Sequence, residues 1–440
     1  MKKLPLLILL FLLNGAAFNA YSQNTMYFMD RLPQQLNFNP ALMPRVNFFL
    51  NLPGIGGNQI DIYNSGFNAR QFMDFTDNLG SENYNPDKFI NSIGDFNQTN
   101  LETRTNLFAL GFRLKNKGYF SMSASVRSFL ELKAPSNFVY LLDDYEKIAD
   151  RLPLSIEGAN IVFNSFSQVA ITYSRVFGEK LTIGISPKLI GALGGIKSDK
   201  LSLRVSQTGQ YDFETEYSGD AQIGLPVPIN PWAIDVNGEL NPDEDILPEN
   251  WLEDIKISSP FQNAGFAFDL GVNYELSKKF SVSASFLDIG NSRWEKNGYK
   301  SMIENETTKI IKNQSVKIKI PSKIYLGVNY KLSPKWNTGL LVKNVMYENE
   351  NKASATLSLN GYLGRKLSTS VSYTNAYSYH NLGLGIRLRL LPGSDLFVVT
   401  DNLSQLINYE TAQLASLAFG INLAFGIKQK TEGKTDKVPE

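Results

Sequence analysis

The feature that most constrains this chain is an apolar/polar alternation of period 2. It holds for about 9–12 residues at a time and then repeats. In residues 270–288, LGVNYELSKKFSVSASFLD, the side chains of Leu270, Val272, Tyr274 and Leu276 share one side, and Gly271, Asn273 and Glu275 share the other. After Ser277-Lys278-Lys279 the pattern resumes, with Phe280, Val282, Ala284 and Phe286 against Ser281, Ser283 and Ser285. Successive strand side chains point to opposite faces, so each arm has an apolar face and a small polar face. A near copy follows in residues 326–343, LGVNYKLSPKWNTGLLVK, with Ser333-Pro334-Lys335 at the turn. Weaker copies occupy 171–190 and 107–130, and a further arm is LSTSVSYTNAYSY at 367–379. One up-down hairpin therefore serves for most of the chain.

Each arm is close to the ~9–11 residues that a tilted strand needs to cross a hydrocarbon core, where a globular strand averages about 5–6. Short turns at one end and long polar loops at the other are the pattern of a transmembrane β-barrel. The fold expected is all-β: a transmembrane antiparallel up-and-down β-barrel of about 14 strands, with an N-terminal plug segment and a few short helices in loops. The 28 Phe and 20 Tyr suit aromatic girdles at two membrane interfaces, although a large soluble β-protein enriches them too. Lys plus Arg is 43 against 42 for Asp plus Glu, without the basic excess of a nucleic-acid binder, so no nucleic acid is expected as partner.

The N-terminus reads as a secretory signal peptide over residues 1–22. Lys2 and Lys3 are the basic start, residues 4–13 the apolar stretch, and Ala20-Tyr21-Ser22 the small-residue cleavage site. With no cysteine there is no lipoprotein attachment, disulfide framework or thiolate metal site. An exported chain that spans a bilayer with strands must close them into a barrel, because lipid satisfies no free edge. The expected location is the outer membrane of a diderm bacterium, with its lipid as surroundings.

Four parts are expected. Residues 1–22 are the signal; 23–57 are a plug and first strand; 58–427 are the barrel; 428–440 are a charged, disordered tail. The plug contains Asn39, Pro40, Ala41, Leu42 and Met43, followed by Pro44, and two prolines four apart forbid a regular helix. A first strand is expected at 46–52, and the glycine-rich 53–57 reads as a turn, since it lacks the context of a phosphate loop. Short helices are expected at 86–93 and at 136–151, the latter capped by Ser136. Residues 305–320 read as one more alternating strand, 401–413 as a short helical stretch, and 414–425 as the closing strand.

The longest loop, 225–255, carries Trp232, Trp251 and many acids. It is a candidate partner surface, because tryptophan is frequent at interface hot spots. Asp243, Asp245 and Glu249 have oxygen ligands of the kind calcium uses, but their spacing matches no EF-hand and a solvated acidic loop is the simpler reading. In 382–390, Arg387 and Arg389 alternate with leucines and should face the lumen. A charge on the lipid face costs about 2–4 kcal/mol at mid-depth. They are candidate contacts for an anionic head group, with plain lumen solvation as the simpler alternative.

Catalytic chemistry is sparse. The one histidine, His380, lies among tyrosines at an expected turn. Asp143-Asp144 looks solvated. No Walker loop, dinucleotide fingerprint or GxSxG elbow occurs. Neither an enzyme, a cofactor nor a metal is expected.

Asn39-Pro40-Ala41-Leu42-Met43 ahead of repeated hairpins resembles the outer-membrane family that includes the long-chain fatty-acid transporter FadL. Within that superfamily the start QNTMYFMDRLPQQLNFNPALMP, the arms LGVNYEL and LGVNYKL, and the ending VVTDNL…LAFGINLAFGIK look most like an uncharacterised Bacteroidota-type group of barrels and PorV- and PorP-like proteins linked to type IX secretion. The resemblance implies a fourteen-stranded barrel with an N-terminal plug, and carries no ligand with it. Three functions are then open: transport or handover of a hydrophobic small-molecule ligand, an accessory barrel docked on a secretion-machine protein, or a secreted soluble β-rich enzyme. The last would leave apolar outer faces in water.

Overall fold

The computed structural model describes residues 23–78, 85–115, 117–142, 151–209, 213–235, 237–239, 241, 244–249, 262–304, 307–348, 350–376 and 379–426. The expected signal at 1–22 and tail at 428–440 lie outside them.

Nineteen strands follow in chain order: β1 Phe48–Asn51, β2 Asn58–Asn64, β3 Phe96–Arg113, β4 Gly118–Pro135, β5 Leu154–Phe177, β6 Leu181–Gln207, β7 Phe213–Gly224, β8 Ala264–Glu275, β9 Phe280–Trp294, β10 Gly298–Glu304, β11 Thr307–Ile311, β12 Val316–Lys319, β13 Ser322–Lys331, β14 Trp336–Met346, β15 Asn351–Leu363, β16 Leu367–Ala376, β17 Tyr379–Leu391, β18 Ser394–Thr400 and β19 Leu414–Phe425. Every pairing is antiparallel. β1 and β2 both lie between β19 and β3, so they are two halves of one wall strand. From there the ring runs through β3, β4, β5, β6, β8, β9 and β13 to β19, and closes. Among the described residues it has fourteen wall positions, compatible with the expected number of about 14 strands. β7, β10, β11 and β12 stand above this ring as an extension, because β6 leaves β8 and pairs with β7 in its upper half, and β9 leaves β13 to pair with β12.

The two hairpins read from sequence are β8–β9 and β13–β14. Their apolar rows face outward: Leu270, Val272, Leu326 and Leu340 are exposed, as are Leu357 on β15 and Val371 on β16. On the other side of β15 and β16, Ser354, Thr356, Ser358, Ser370, Ser372 and Thr374 are buried in the lumen, and the Thr356 and Thr374 hydroxyls pair at 2.8 Å. An apolar band that goes round a closed ring far exceeds the few hundred Å² that a soluble surface tolerates, so its solvent is lipid. Among the described residues no helix is long and apolar enough to cross a membrane.

Several details differ from the sequence reading. The first strand is shorter than 46–52 and is interrupted at residues 52–57. The interruption is sealed on both sides: Asn106 of β3 accepts from Gly54 N–H (3.2 Å) and donates to Gly57 O (3.1 Å), and Ile421 of β19 donates to Ile55 O (2.7 Å). Residues 305–320 do not form one strand. They divide into β11 and β12, and in β12 the inside and outside are reversed. Val316, Ile318 and Ile320 are buried, whereas Lys317 and Lys319 are exposed. β12 lies above the lipid, where the outer solvent is water, so the polar side turns out.

His380 is exposed in β17 rather than in a turn, with its ring stacked on Tyr373. A 3-10 turn, Ser136–Leu142, stands where the second helix was expected, and residues 143–150, with Asp143-Asp144, are outside the described set. The Ser136 hydroxyl donates to Gly94 O and accepts from the Asn97 side chain at 3.0 Å. The helix at Pro86–Ile90 is capped by Asn85, whose side chain accepts from Lys88 N–H at 3.2 Å.

Candidate functional site

The lumen is occupied by the chain's own residues 23–47. Prolines and asparagines leave this segment without a long helix, so its backbone polar groups depend on the wall for partners. The Asp401 carboxylate accepts from the backbone N–H of Asn24 (2.9 Å) and Thr25 (2.8 Å). Thr25 and Ser372 hydroxyls pair at 2.6 Å. Met26, Tyr27, Phe28, Met29, Leu32 and Phe38 then pack on Tyr325, Leu341 and Phe397 of the wall. Toward the short-turn end, Asp30 pairs with Arg45 at 2.5 Å and accepts from the Tyr362 hydroxyl at 2.8 Å. The Arg31 and Arg45 guanidiniums both lie over the Tyr362 ring, at 4.6 and 4.9 Å.

The five residues singled out from sequence lie in this segment. Asn39 is fully buried, donates to Ala284 O at 3.1 Å and accepts from Ala41 N–H at 2.8 Å. Pro40 O accepts from Ser174 (2.5 Å), and Phe38 O accepts from Ser285 (2.6 Å). Ala41 is buried, Leu42 packs against the Tyr27–Phe38 cluster, and Met43 packs on the group containing Leu36, Val46 and Phe49.

The wall is cut to receive the segment. A Cβ on Gly271 would lie 2.1 Å from the Asn39 side-chain oxygen, and one on Gly184 would lie 2.3 Å from the Pro40 carbonyl carbon. Gly339 meets Phe28 in the same way, and Gly385 meets Met29. The inward glycine of the repeated LGVNY arm is therefore a docking position.

Above the segment a belt of buried charges crosses the lumen. Glu102 on β3 pairs with Lys323 on β13 (2.6 Å) and Arg127 on β4 (3.0 Å). Arg127 also pairs with Asp288 on β9 (2.7 Å), and Lys188 on β6 bridges Asp288 and Asp269, each at 2.6 Å. Asp288 has a φ of 58°, and its N–H donates to Asp269 at 2.8 Å. The register shift of β8 against β9 at this point re-aims its side chain inward. Beside the belt lies a cavity of about 40 Å³ lined by Asn51, Gln168, Lys188 and Asp269 among others, room for a few waters at most.

Higher still the interior turns apolar. Phe129, Val162, Phe166, Ile190, Trp294 and Ile318 form one buried cluster inside the ring. At the mouth, the β14–β15 connection reaches across to the far wall. Glu348 pairs with Lys197 of β6 at 2.9 Å, and Glu350 accepts from Gln98 of β3.

Arg387 and Arg389 do face the lumen, and both are engaged by Asp395, at 2.5 and 2.8 Å. Trp232 is 76% exposed on the long loop, and Trp251 lies outside the described residues. That loop is partly seated: Ile229 and Ile234 are buried against Tyr299 and Ile310. Among the described residues no group of acids is placed to hold a metal. The sequence reading missed the charge belt. Its signal was present, since a lone charge inside a strand must turn away from lipid, the argument applied only to the two arginines.

The Ralstonia pickettii toluene transporter TbuX aligns with 90% of this chain and 94% of its own, at 10% identity and a TM-score of 0.45. A Pseudomonas aeruginosa FadL homologue aligns with 92% of this chain and 98% of its own, at 9% identity and a TM-score of 0.45. For the Pseudomonas putida toluene transporter TodX the figures are 93%, 95%, 11% and 0.39. No curated protein matches the chain. A family described as of unknown function, DUF5723, matches residues 40–314 and 300–401. The chain belongs to the DUF5723 family.

Proposed function

We propose that this protein is an integral outer-membrane barrel, not an enzyme, through which small hydrophobic compounds pass, and that residues 23–47 hold it shut. The observation that carries this reading is the pair of apolar clusters inside the ring. A barrel that conducts polar solutes has a polar, water-filled lumen. Here the lumen carries an apolar cluster from Phe129 to Ile318 above the charge belt and another around Tyr27 and Phe28 below it. Such surfaces favour partition of an apolar solute over a hydrated one. The lumenal segment is the part that must move. Residues 23–46 are tied to the wall by side-chain hydrogen bonds and contacts, and the backbone joins β19 and β3 at Asn47, so the segment up to that point can leave while the ring stays closed.

The test is deletion of residues 39–43, with the variant and the parent reconstituted in liposomes. Faster entry of a lipophilic dye and faster leakage of small solutes support the reading. Unchanged permeability of a folded variant ends it. Stoichiometric recovery of a large protein partner in place of a small molecule, on mild detergent extraction, would favour an accessory role instead.

A further inference from the structure

We propose that the buried seat of the Trp294 indole can take in its place a small hydrophobic molecule that carries one hydroxyl group. This deepens the reading above and rests on it to the extent that such compounds enter the lumen.

Trp294 ends β9 and is fully buried. Its indole lies on two glycines. A Cβ on Gly224 would come 2.2–2.6 Å from the ring, and one on Gly195 would come 2.5 Å from its outer edge. Among the described residues its N–H has no hydrogen-bond partner. Dispersion contacts alone hold the ring, so it gives up no hydrogen bond by swinging away.

Beside it sit two more unsatisfied groups. Asn164 on β5 is opposite Gly195 in register, which sets its side chain against the indole edge. It is fully buried, and neither its amide nitrogen nor its oxygen has a partner among the described residues. Ser292, two residues before Trp294 on the same face, is equally buried and its hydroxyl is also unpaired. Val162 and Phe166 flank Asn164 along β5, and Phe129, Ile190 and Ile318 complete an apolar shell.

Buried polar groups nearly always have partners, and three that lack one among the described residues border the same apolar cluster here. A flat ring with a hydroxyl resolves them. The ring replaces the indole over the glycines, and the hydroxyl donates to Asn164 Oδ1 while accepting from its Nδ2 or from Ser292. A purely apolar ring leaves Asn164 as it was. An anion gains nothing here, because Arg127, 5.4 Å from the Phe166 ring, is already engaged by Glu102 and Asp288.

The experiment is calorimetric titration of the purified full chain in detergent with p-cresol and with p-xylene, which differ by hydroxyl against methyl. The wild type should bind p-cresol about tenfold more tightly, the value of one buried hydrogen bond. Asn164→Leu should erase that preference, and Ser292→Ala should reduce it. Trp294→Ala should tighten p-cresol binding by vacating the seat. The wild-type tryptophan emission should shift to the red on binding, and the shift should vanish in Trp294→Phe. Equal affinity for both probes in the wild type, or an intact preference in folded Asn164→Leu, overturns the proposal; a site whose orphans merely hold water gives that result. Binding without liposome flux would end the transport reading and leave the site. Flux without discrimination would do the reverse.

Discussion

Gly184→Ala tests the docking of the lumenal segment with one methyl group. The new Cβ would stand 2.3 Å from the Pro40 carbonyl carbon, 2.4 Å from its oxygen and 2.6 Å from Ala41 N. All three are backbone atoms, so no side-chain rotation relieves the clash. Ordinary contact needs about 1 Å more. A shift of that size breaks the bonds from Ser174 to Pro40 O (2.5 Å) and from Asn39 to Ala284 O (3.1 Å), and misaligns Ser285 on Phe38 O (2.6 Å). At about 1 kcal/mol each, the loss is about 3 kcal/mol, or more than a hundredfold in the docked-to-undocked ratio. The control is Gly194→Ala on the same strand, where a Cβ meets nothing within 4 Å. Trypsin reports the outcome, since Arg31 and Arg45 lie in the segment. Gly184→Ala should be cleaved at them far faster than Gly194→Ala, and its liposomes should leak faster. Equal cleavage and leakage in two variants of equal thermal stability would refute the docking argument.

The remaining predictions concern the wall and the mouth. Leu340→Arg puts a charge on the lipid face and should lower stability by about 2–4 kcal/mol, read as the urea midpoint of folding into lipid vesicles. Arg127→Met leaves Asp288 and Glu102 with one fewer cation in the buried belt. It should cost about 3–5 kcal/mol in the same assay, although the new side chain is apolar and of similar length. Glu348→Lys opposes Lys197 across the mouth and should raise solute entry. The double variant with Lys197→Glu should restore the parent rate, and failure to restore it would show that the pair does not close the mouth. Asp401→Asn weakens two charge-assisted bonds to Asn24 and Thr25. It should release the first described residues of the segment, read as faster amide hydrogen exchange at Asn24 and Thr25.

The wall was legible because lipid is a simple solvent. It demands apolar side chains at every second position, so LGVNYEL and LSTSVSY declare which side is out. The hairpins allowed a count of about fourteen to sixteen, of which fourteen was the expectation. What failed was whatever stands beyond the lipid. There the outer solvent is water, so Ile318 turns in and Lys317 turns out with the same period and opposite meaning. Alternation reports two faces but not which solvent each one meets. The charge belt was hidden for another reason: Glu102 and Lys323 are more than two hundred residues apart, and only ring closure brings them to 2.6 Å.

The lumenal segment was partly readable, since prolines at 40 and 44 exclude helix and a barrel has few other places for such a stretch. Its seat was not. In sequence, the glycines of LGVNYEL, TIGIS and LGLGIR look like ordinary small residues of an inward face. In three dimensions Gly271, Gly184 and Gly385 each stand where a Cβ would strike Asn39, Pro40 or Met29. A glycine in a strand weakens it. A barrel with an empty, water-filled lumen has no need for glycine at inward positions, where serine would serve as well. Their placement along the track of residues 23–47 ties wall and segment to one another. It also explains how residues 23–46 can be held firmly by short contacts ahead of the point where Asn47 joins the wall.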